Sequence, residues 1–590
     1  MIGKIKTKIK KNKTLPILIL TILILAILGW PIYSYFCSYV INSGLFIEIH
    51  KDRIVHLEPI TLFFSLATSF FFLLGYFFLI RVKTHINLII TILSFIGVLL
   101  VLICTSRYGV GLSPDSVVYI SVARNLILGK GYLDWAGNPL IVFPPLFSTI
   151  LAAIGLTGMD PLYGARFLNV IIFGLIIFTS GQLFRKFIQT KEIIILGTIS
   201  VLFSIPIFLV SYMAWSEPLF ILLVNLFIFC LYKFINKARW STLILLSAIA
   251  ALSCLQRYIG VTLIISGFIS IFLLLPKSSF LQRLKYGIIF SIISTSIFSI
   301  WPIRNYILTQ TFFGTRFPSD FTLLQNIYYT FDTLTLWFLP SNMPFLIRGI
   351  TVGLLILLII TLTFYRYLKS NEEGINRIRQ VLPAGIFLLV YTIFLIISGA
   401  RFAFDRINLR LLSPIYIFTI FLILVNIENL LILLPYQQVS KKILRFTVYT
   451  IFIFSLFYPL TYNIYRVIHS RQSGIVEYST QAWRKSSLIL WLQEHKLDAA
   501  IASNVPEAIY IHTGKKSNLS PKKHEHDSSA SKGDNLYEIK EKLKLTHEKI
   551  YLVWFKNIAR DFLYNIEELS SVFNLQEIIN LSDGIVYSLE

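Results

Sequence analysis

Eight residues of this chain carry groups able to do chemistry, Asp115, Tyr119, Glu217, Arg257, Arg304, Asp405, Arg406 and Arg410, and the four arginines among them fall at expected helix ends. A carboxylate can take a proton from a hydroxyl nucleophile. A guanidinium can fork onto two phosphate oxygens, which an ammonium cannot do. Each group also has a plainer explanation. A carboxylate near a helix N-terminus is favourable in itself, which covers Asp115, and Glu217 before Pro218. An arginine at the end of a membrane span is an interfacial anchor or a salt-bridge partner, as Arg406 or Arg410 would be with Asp405. Packing is the first explanation for Tyr119. His524 and His526 flank Glu525 and have the types of a metal pair, but a solvated polar loop explains them more simply. Cys37, Cys104, Cys230 and Cys254 are isolated in apolar stretches, without the spacing of a metal site or a disulfide framework.

The residues around Asp115 predict its setting. Ser113 suits a helix N-cap, Pro114 the first helical position, and Asp115 then falls in the first turn. Asp115 and Tyr119 share a face one turn apart, and Gly129 and Gly131 close the helix.

The elements that must hold these residues follow from composition. Of 590 residues 56% are hydrophobic and only 14% charged, with a mean hydropathy of +0.73 and a net charge of +23. That hydropathy excludes a disordered polymer. It also excludes a soluble nucleic-acid binder, whose Lys and Arg spread over a water-exposed surface. About thirteen apolar segments approach the roughly 20 residues a transmembrane helix needs: 15–36, 59–80, 86–105, 162–184, 193–212, 218–235, 241–256, 260–275, 286–303, 345–365, 381–398, 411–434 and 446–463. The lysine-rich start, Lys4 to Lys13, precedes the first segment with no small-residue cleavage site after it, so that segment reads as a retained signal anchor.

With the N-terminus inside, the even connections are cytoplasmic, and every one is basic, from Arg81/Lys83 to Lys441/Lys442/Arg445. The N-terminus and these turns hold 24 basic residues against Glu192, Glu372, Glu373 and Glu428. The positive charge is thus mostly a topology signal. An odd span count puts residues 464–590 outside, where 16 basic and 16 acidic residues balance. This tail alternates polar helical stretches (Arg484 to Lys496, Tyr537 to Leu545) with short apolar runs at Ala499–Ala502, Ile550–Phe555 and Ile585–Ser588. It reads as a small soluble α/β domain in which Lys515 to Asn535 is a mobile loop. Acids are scarce on the outer side of the membrane body, which raises the weight of Asp115.

The outer loop 106–161 runs Asp115, Tyr119, Ala123-Arg124, Gly129-Lys130-Gly131 and Phe143-Pro144-Pro145-Leu146. Ser216-Glu217-Pro218-Leu219-Phe220 follows, then Gln256-Arg257-Tyr258-Ile259-Gly260, Arg304-Asn305, Asp405 to Arg410 with Ser413-Pro414, and Ser503-Asn504 to Thr513-Gly514-Lys515. In this order the segments resemble the GT-C glycosyltransferases, in particular their protein O-mannosyltransferase, aminoarabinose transferase and RgtA/B/C/D-like branches. The resemblance spans residues 86 to 515. It departs from the family at Ser116, where many relatives have a second acid, at Phe143, where aminoarabinose-transferase relatives have Lys, and at Leu411, where Tyr is usual.

The resemblance implies a GT-C-like, α-helical polytopic membrane protein with a small C-terminal soluble α/β domain. Residues 1–85 would form a basic cytoplasmic tail with two extra transmembrane helices, 86–463 the catalytic body and 464–590 an extracytoplasmic domain. It implies transfer of a sugar from a polyprenyl-phosphate donor to a glycan, lipid or protein hydroxyl, with inversion, at the outer face of the plasma (inner) membrane. A lipid phosphate is already a good leaving group, so the need is a base for the acceptor, and Asp115 is the residue for it. Tyr119, Glu217, Arg257, Arg304, Asp405, Arg406 and Arg410 would bind substrate, the arginines meeting the departing phosphate. The resemblance makes no cofactor certain; it leaves room for a divalent metal without indicating one, and Ser116 weighs against a metal bridged by paired acids. Two rivals stay open: a transporter or flippase, which would place ionisable residues near the midplane or repeat internally, and an inactive scaffold of the same fold. The topology is checked by cysteines introduced at positions 130 and 550. Both are expected to react with a membrane-impermeant thiol reagent applied from outside, and labelling only after permeabilisation would overturn the orientation.

Overall fold

The computed structural model describes residues 85–589, apart from 277, 370–371, 434–437, 527, 529–531 and 547–548. The basic tail and the first two expected spans lie outside the described residues. From residue 86 onward, every expected apolar segment coincides with helix. Six helices are long and apolar enough to cross a membrane: Ile86–Cys104, Pro161–Phe187, Glu217–Asn236, Phe280–Thr309, Val381–Arg401 and Leu409–Asn429. A seventh span exists if Lys191–Leu202 and Ile205–Ser211, bent by 46°, count as one. The chain is a membrane protein. The expected count of thirteen is not reached among the described residues, partly because some apolar helices are short. Trp240–Gln256 has 17 residues, a rise of about 26 Å against a hydrocarbon core of about 30 Å.

Local sequence explains the bend and the closest packing. Ser204 accepts a hydrogen bond from the Ile207 amide at 3.2 Å, and Pro206 enters the new helix where no amide is needed, so the chain restarts at an angle. Ile86–Cys104 lies against Pro161–Phe187 through small residues. A Cβ on Gly97 would stand 2.2 Å from Ile177 Cδ1, and one on Gly174 2.6 Å from Val98 Cγ2. The Ser94 hydroxyl donates to the Gly174 carbonyl at 2.6 Å across the same contact. Small residues let helix backbones approach where lipid tails offer no competing hydrophobic drive.

The C-terminal region holds a five-stranded sheet in the order β2-β1-β3-β5-β4, with β1 Ala500–Ser503, β2 Asn518–Leu519, β3 Ile550–Phe555, β4 Leu575–Asn580 and β5 Gly584–Leu589. β1 runs parallel to β2 and β3; β5 is antiparallel to β3 and β4, with Leu552 opposite both Ala502 and Tyr587. The segment expected as a mobile loop, Lys515 to Asn535, is pinned in its described part. It contains β2, Ser520 donates to the Ser503 carbonyl at 2.8 Å, and Lys523 to that of Phe562 at 2.8 Å. Its polar composition hid these backbone bonds, which carry no side-chain signature.

The sheet domain and the loop between Ile86–Cys104 and Pro161–Phe187 share one apolar core. Val117, Tyr119, Ile120 and Phe147 of the loop pack in a single cluster with Tyr478, Leu488, Ile509 and Val553 of the C-terminal region. Polar ties reinforce it. Arg124 forks onto Asp160 at 3.0 and 3.1 Å and lies 5.8 Å from the Tyr510 ring, and Arg484 donates to the Tyr108 carbonyl at 2.8 Å. For the membrane body, Gly174→Val is expected to lower stability by about 1–3 kcal/mol through overpacking. Thermal unfolding of the purified chain in detergent measures it, and an unchanged midpoint would refute the close helix contact.

Candidate active site

Asp115 is aimed by a short backbone ladder. Gly111 pairs with Met213 and Leu112 with Glu477, both in parallel sense. The Gly111 amide donates to the Tyr212 carbonyl at 2.8 Å, and its own carbonyl accepts from Ala214 at 2.9 Å. A Cβ on Gly111 would lie 2.2 Å from the Met213 sulfur, so the approach requires glycine. The ladder delivers the chain into the helix Pro114–Ile127, with Ser113 as N-cap, Pro114 first and Asp115 in the first turn. Ser116 is fully buried, and its Oγ accepts from the Ser113 amide at 3.1 Å. Ser116 therefore caps the helix. Trp215 Nε1 donates to the Ser113 hydroxyl at 2.7 Å and locks the turn to the segment beyond Met213.

Arg410 draws the acids together. Asn408 caps its helical turn, Leu409–Leu412, by accepting from the amides of Arg410 at 3.0 Å and Leu411 at 3.2 Å. From there Arg410 Nη2 donates to Asp115 Oδ2 at 2.6 Å, Nε donates to Glu217 Oε1, and Nη1 lies 3.9 Å from Asp405 Oδ2. The guanidinium lies 4.2 Å from the centre of the Trp215 ring, which supplies a cation–π contact. Glu217 is fully buried at the head of the helix Glu217–Asn236. Its Oε1 also meets Arg257, whose Nη1 donates to the Ser216 hydroxyl at 3.0 Å. Gln256 Nε2 donates to the Ser216 carbonyl at 2.7 Å. Glu217 Oε2 has no hydrogen-bond partner among the described residues. Three carboxylates thus share two guanidiniums, where single hydrogen-bonded pairs would be the minimum for burying such charges.

Five of the eight predicted residues meet in this network: Asp115, Glu217, Arg257, Asp405 and Arg410. Tyr119 joins at its edge, hydroxyl to hydroxyl with Ser216 at 3.2 Å. It is buried between the rings of Phe143 and Phe147, at 5.1 and 5.2 Å, and burial first, then repulsion from Asp115, raises its hydroxyl above the ordinary phenol range. Tyr119 therefore stays neutral. Phe143, which stands where some relatives have Lys, is a packing partner of Tyr119 and brings no charge. At Leu411, where relatives have Tyr, the backbone carbonyl instead accepts from the Tyr391 hydroxyl at 2.8 Å.

Arg304 and Arg406 lie apart from the network. Arg304 stacks 4.4 Å from the Trp301 ring centre and donates to the Leu140 carbonyl at 2.7 Å. It is joined to the Arg257 turn through neighbours: Asn305 Nδ2 donates to the Tyr258 hydroxyl at 3.3 Å, and Tyr258 donates to the Ile141 carbonyl at 2.7 Å. Arg406 is half exposed, lies 4.0 Å from the Tyr329 ring centre and 3.5 Å from Asp332 Oδ2. Sequence reasoning missed Trp215, Asn408 and Glu477. The adjacency of Trp215 to Glu217 and of Asn408 to Arg410 was visible as a signal; Glu477 offered none. His524 and Glu525 lie in the sheet domain, where Glu525 pairs with Lys522 at 3.0 Å. Among the described residues, no three His, Cys, Asp or Glu side chains gather as a metal site would require.

A multi-span helical body, a loop carrying Asp115 and a C-terminal sheet domain packed against that loop make up the architecture. Two solved structures show the same architecture: ArnT from Cupriavidus metallidurans in the apo state, and the same protein bound to undecaprenyl phosphate. Each aligns with a TM-score of 0.53 over 84% of this chain and 97% of its own, at 10% and 11% sequence identity respectively. No family model matches the chain, and neither does any curated protein.

Removing one partner from a buried pair leaves the other charge uncompensated, at a cost of about 3–5 kcal/mol. Arg410→Met and Glu217→Gln are each expected to lower the unfolding midpoint of the purified protein. The double variant should be less unstable than the two losses summed, by about 0.5–3 kcal/mol. Simple additivity would show that the two groups do not interact.

Proposed function

We propose that this chain is a glycosyltransferase of the extracytoplasmic membrane face, moving a sugar from a polyprenyl-phosphate-linked donor to an acceptor hydroxyl. One observation carries the reading: Arg410 gathers Asp115, Glu217 and Asp405, in a fold shared with a protein solved with undecaprenyl phosphate. Basic cytoplasmic turns support an inner-membrane chain with its sheet domain outside.

The acceptor oxygen attacks the anomeric carbon as the bond to the lipid phosphate breaks, and in-line geometry inverts that centre. The acceptor proton goes to Asp115. Its Oδ2 is held by Arg410, while Oδ1 accepts no hydrogen bond among the described residues. Arg410 fixes the carboxylate so that it does not have to reorganise as charge moves. Glu217 Oε2, buried and unpartnered, is available to a sugar hydroxyl. Arg257 and Arg304, linked through Tyr258 and Asn305, are the cations we assign to the phosphate. Arg304 has no carboxylate within ion-pair distance among the described residues, so its charge is not already spent. Arg406, committed to Asp332 and Tyr329, takes a lesser part at the rim.

Asp115→Asn preserves shape and removes the proton acceptor, so transfer is expected to fall about 10²–10⁴-fold. Mass spectrometry of envelope glycans and glycoproteins from cells with and without the chain should show loss of one defined sugar. The wild-type chain should restore it and Asp115→Asn should not. Full restoration by Asp115→Asn would overturn the mechanism, and an unchanged envelope would overturn the transferase reading.

A further inference from the structure

Glu477 lies on the turn that leads from the helix Gln438–Ser473 into the sheet domain, and the chemistry above leaves it unassigned. Its backbone pairs with Leu112, three residues before Asp115. Its φ is +44°, a left-handed conformation that glycine or asparagine adopts more easily than glutamate. Such strain persists where the surrounding structure enforces it, and it gathers at functional sites.

The carboxylate differs from its neighbours in being unpaired. Asp115, Glu217 and Asp405 each have a guanidinium within ion-pair distance, whereas Glu477 has none among the described residues. It is also exposed to solvent. Charged groups face it from three further regions: Asp115 at the start of its helix, Asp405 and Arg410 on the helical turn Leu409–Leu412 and the loop before it, and Arg560 from the sheet domain. Arg560 is already engaged by Glu507 at 3.1 Å and by the Tyr478 hydroxyl at 2.9 Å. Partial desolvation of Glu477, with repulsion from Asp115 and Asp405, outweighs the pull of Arg560 and Arg410 and pushes its carboxyl up to about 7. Such a group exchanges protons readily at neutral pH.

We propose that Glu477 is the proton relay of this site: the proton that Asp115 takes from the acceptor hydroxyl passes through a bridging water to the Glu477 carboxylate and then to outer solvent. The acceptor O–H bond breaks, the proton leaves through Glu477, and Asp115 is ionised again for the next turnover. Glu477 acts through Asp115 and does not touch the acceptor. The relay rests on the transferase reading, but the proton site is measurable without any substrate.

The first experiment is pH-difference infrared spectroscopy of the full-length protein in lipid nanodiscs, over pH 5 to 9. A carboxyl C=O band titrating near 7 is expected in the wild type and should be missing in Glu477→Gln. Its midpoint should move down in Asp115→Asn, which removes a repulsion, and up in Arg560→Gln, which removes an attraction. Absence of a Glu477-dependent band, or a midpoint indifferent to Asp115, would overturn the proton site whether or not the chain transfers sugar.

Stability gives a second readout. The folded value lies above the ordinary 4.5, so between about pH 4.5 and 7 the folded state binds more protons than the unfolded one. Stability must then fall as pH rises through that window, and the fall should be smaller in Glu477→Gln. The relay itself is read from incorporation of the envelope sugar as a function of external pH. Wild-type incorporation should rise through pH 7 as Glu477 ionises, while Glu477→Gln should be about 10-fold slower and lose that rise. A variant with the wild-type rate and pH profile would overturn the relay, and so would an envelope unaffected by loss of the chain.

Discussion

The structure depends on one buried guanidinium. Arg410 is 11% exposed and holds carboxylates that come from positions 295 and 193 residues away in the chain, while also approaching Asp405 on its own loop. Taking these charges out of water is expensive, and only close, hydrogen-bonded geometry offsets the cost. The pairing therefore tolerates little displacement of the Pro114–Ile127 helix, the Glu217–Asn236 helix or the loop before Leu409. Trp215 lies along the face of the guanidinium, and Asn408 caps the turn that carries it. Arg257 adds a second cation to Glu217 and ties the end of Trp240–Gln256 into the same centre.

Backbone pairing and shared burial hold these elements together. The ladder of Gly111 with Met213 and Leu112 with Glu477 joins the loop before Pro114 to the end of a broken helix on one side and to the turn entering the sheet domain on the other. The apolar cluster that runs from Val117 to Val553 belongs to both regions. The sheet domain is thus part of the wall of the site, and it contributes Glu477 and Arg560 to the electrostatics around Asp115.

Much of the fold could be read from the chain. Apolar length located every helix expected beyond residue 86, because a bilayer demands runs of nonpolar residues whatever the packing. The N-terminal turn of the Asp115 helix was visible in Ser113 and Pro114, since capping is local chemistry. Strands β1, β3 and β5 showed as short apolar runs, whereas β2 and β4 did not. β2 has only two residues, and β4, Leu575–Asn580, is mostly exposed. Glu477 carried no motif, and its importance comes from which charges face it.

By itself the sequence determined the membrane character, the placement of basic residues and the types of groups held at helix ends, because hydropathy and capping act over a few residues. Only the tertiary structure decided which of those groups meet. It brought Asp115, Glu217, Arg257, Asp405 and Arg410 together and left Arg304 and Arg406 outside. It also put a capping role on Ser116 and an unpaired acid beside the site at Glu477. Contacts across hundreds of residues depend on the mutual packing of helices, and no local pattern encodes the distance between two side chains that such packing sets.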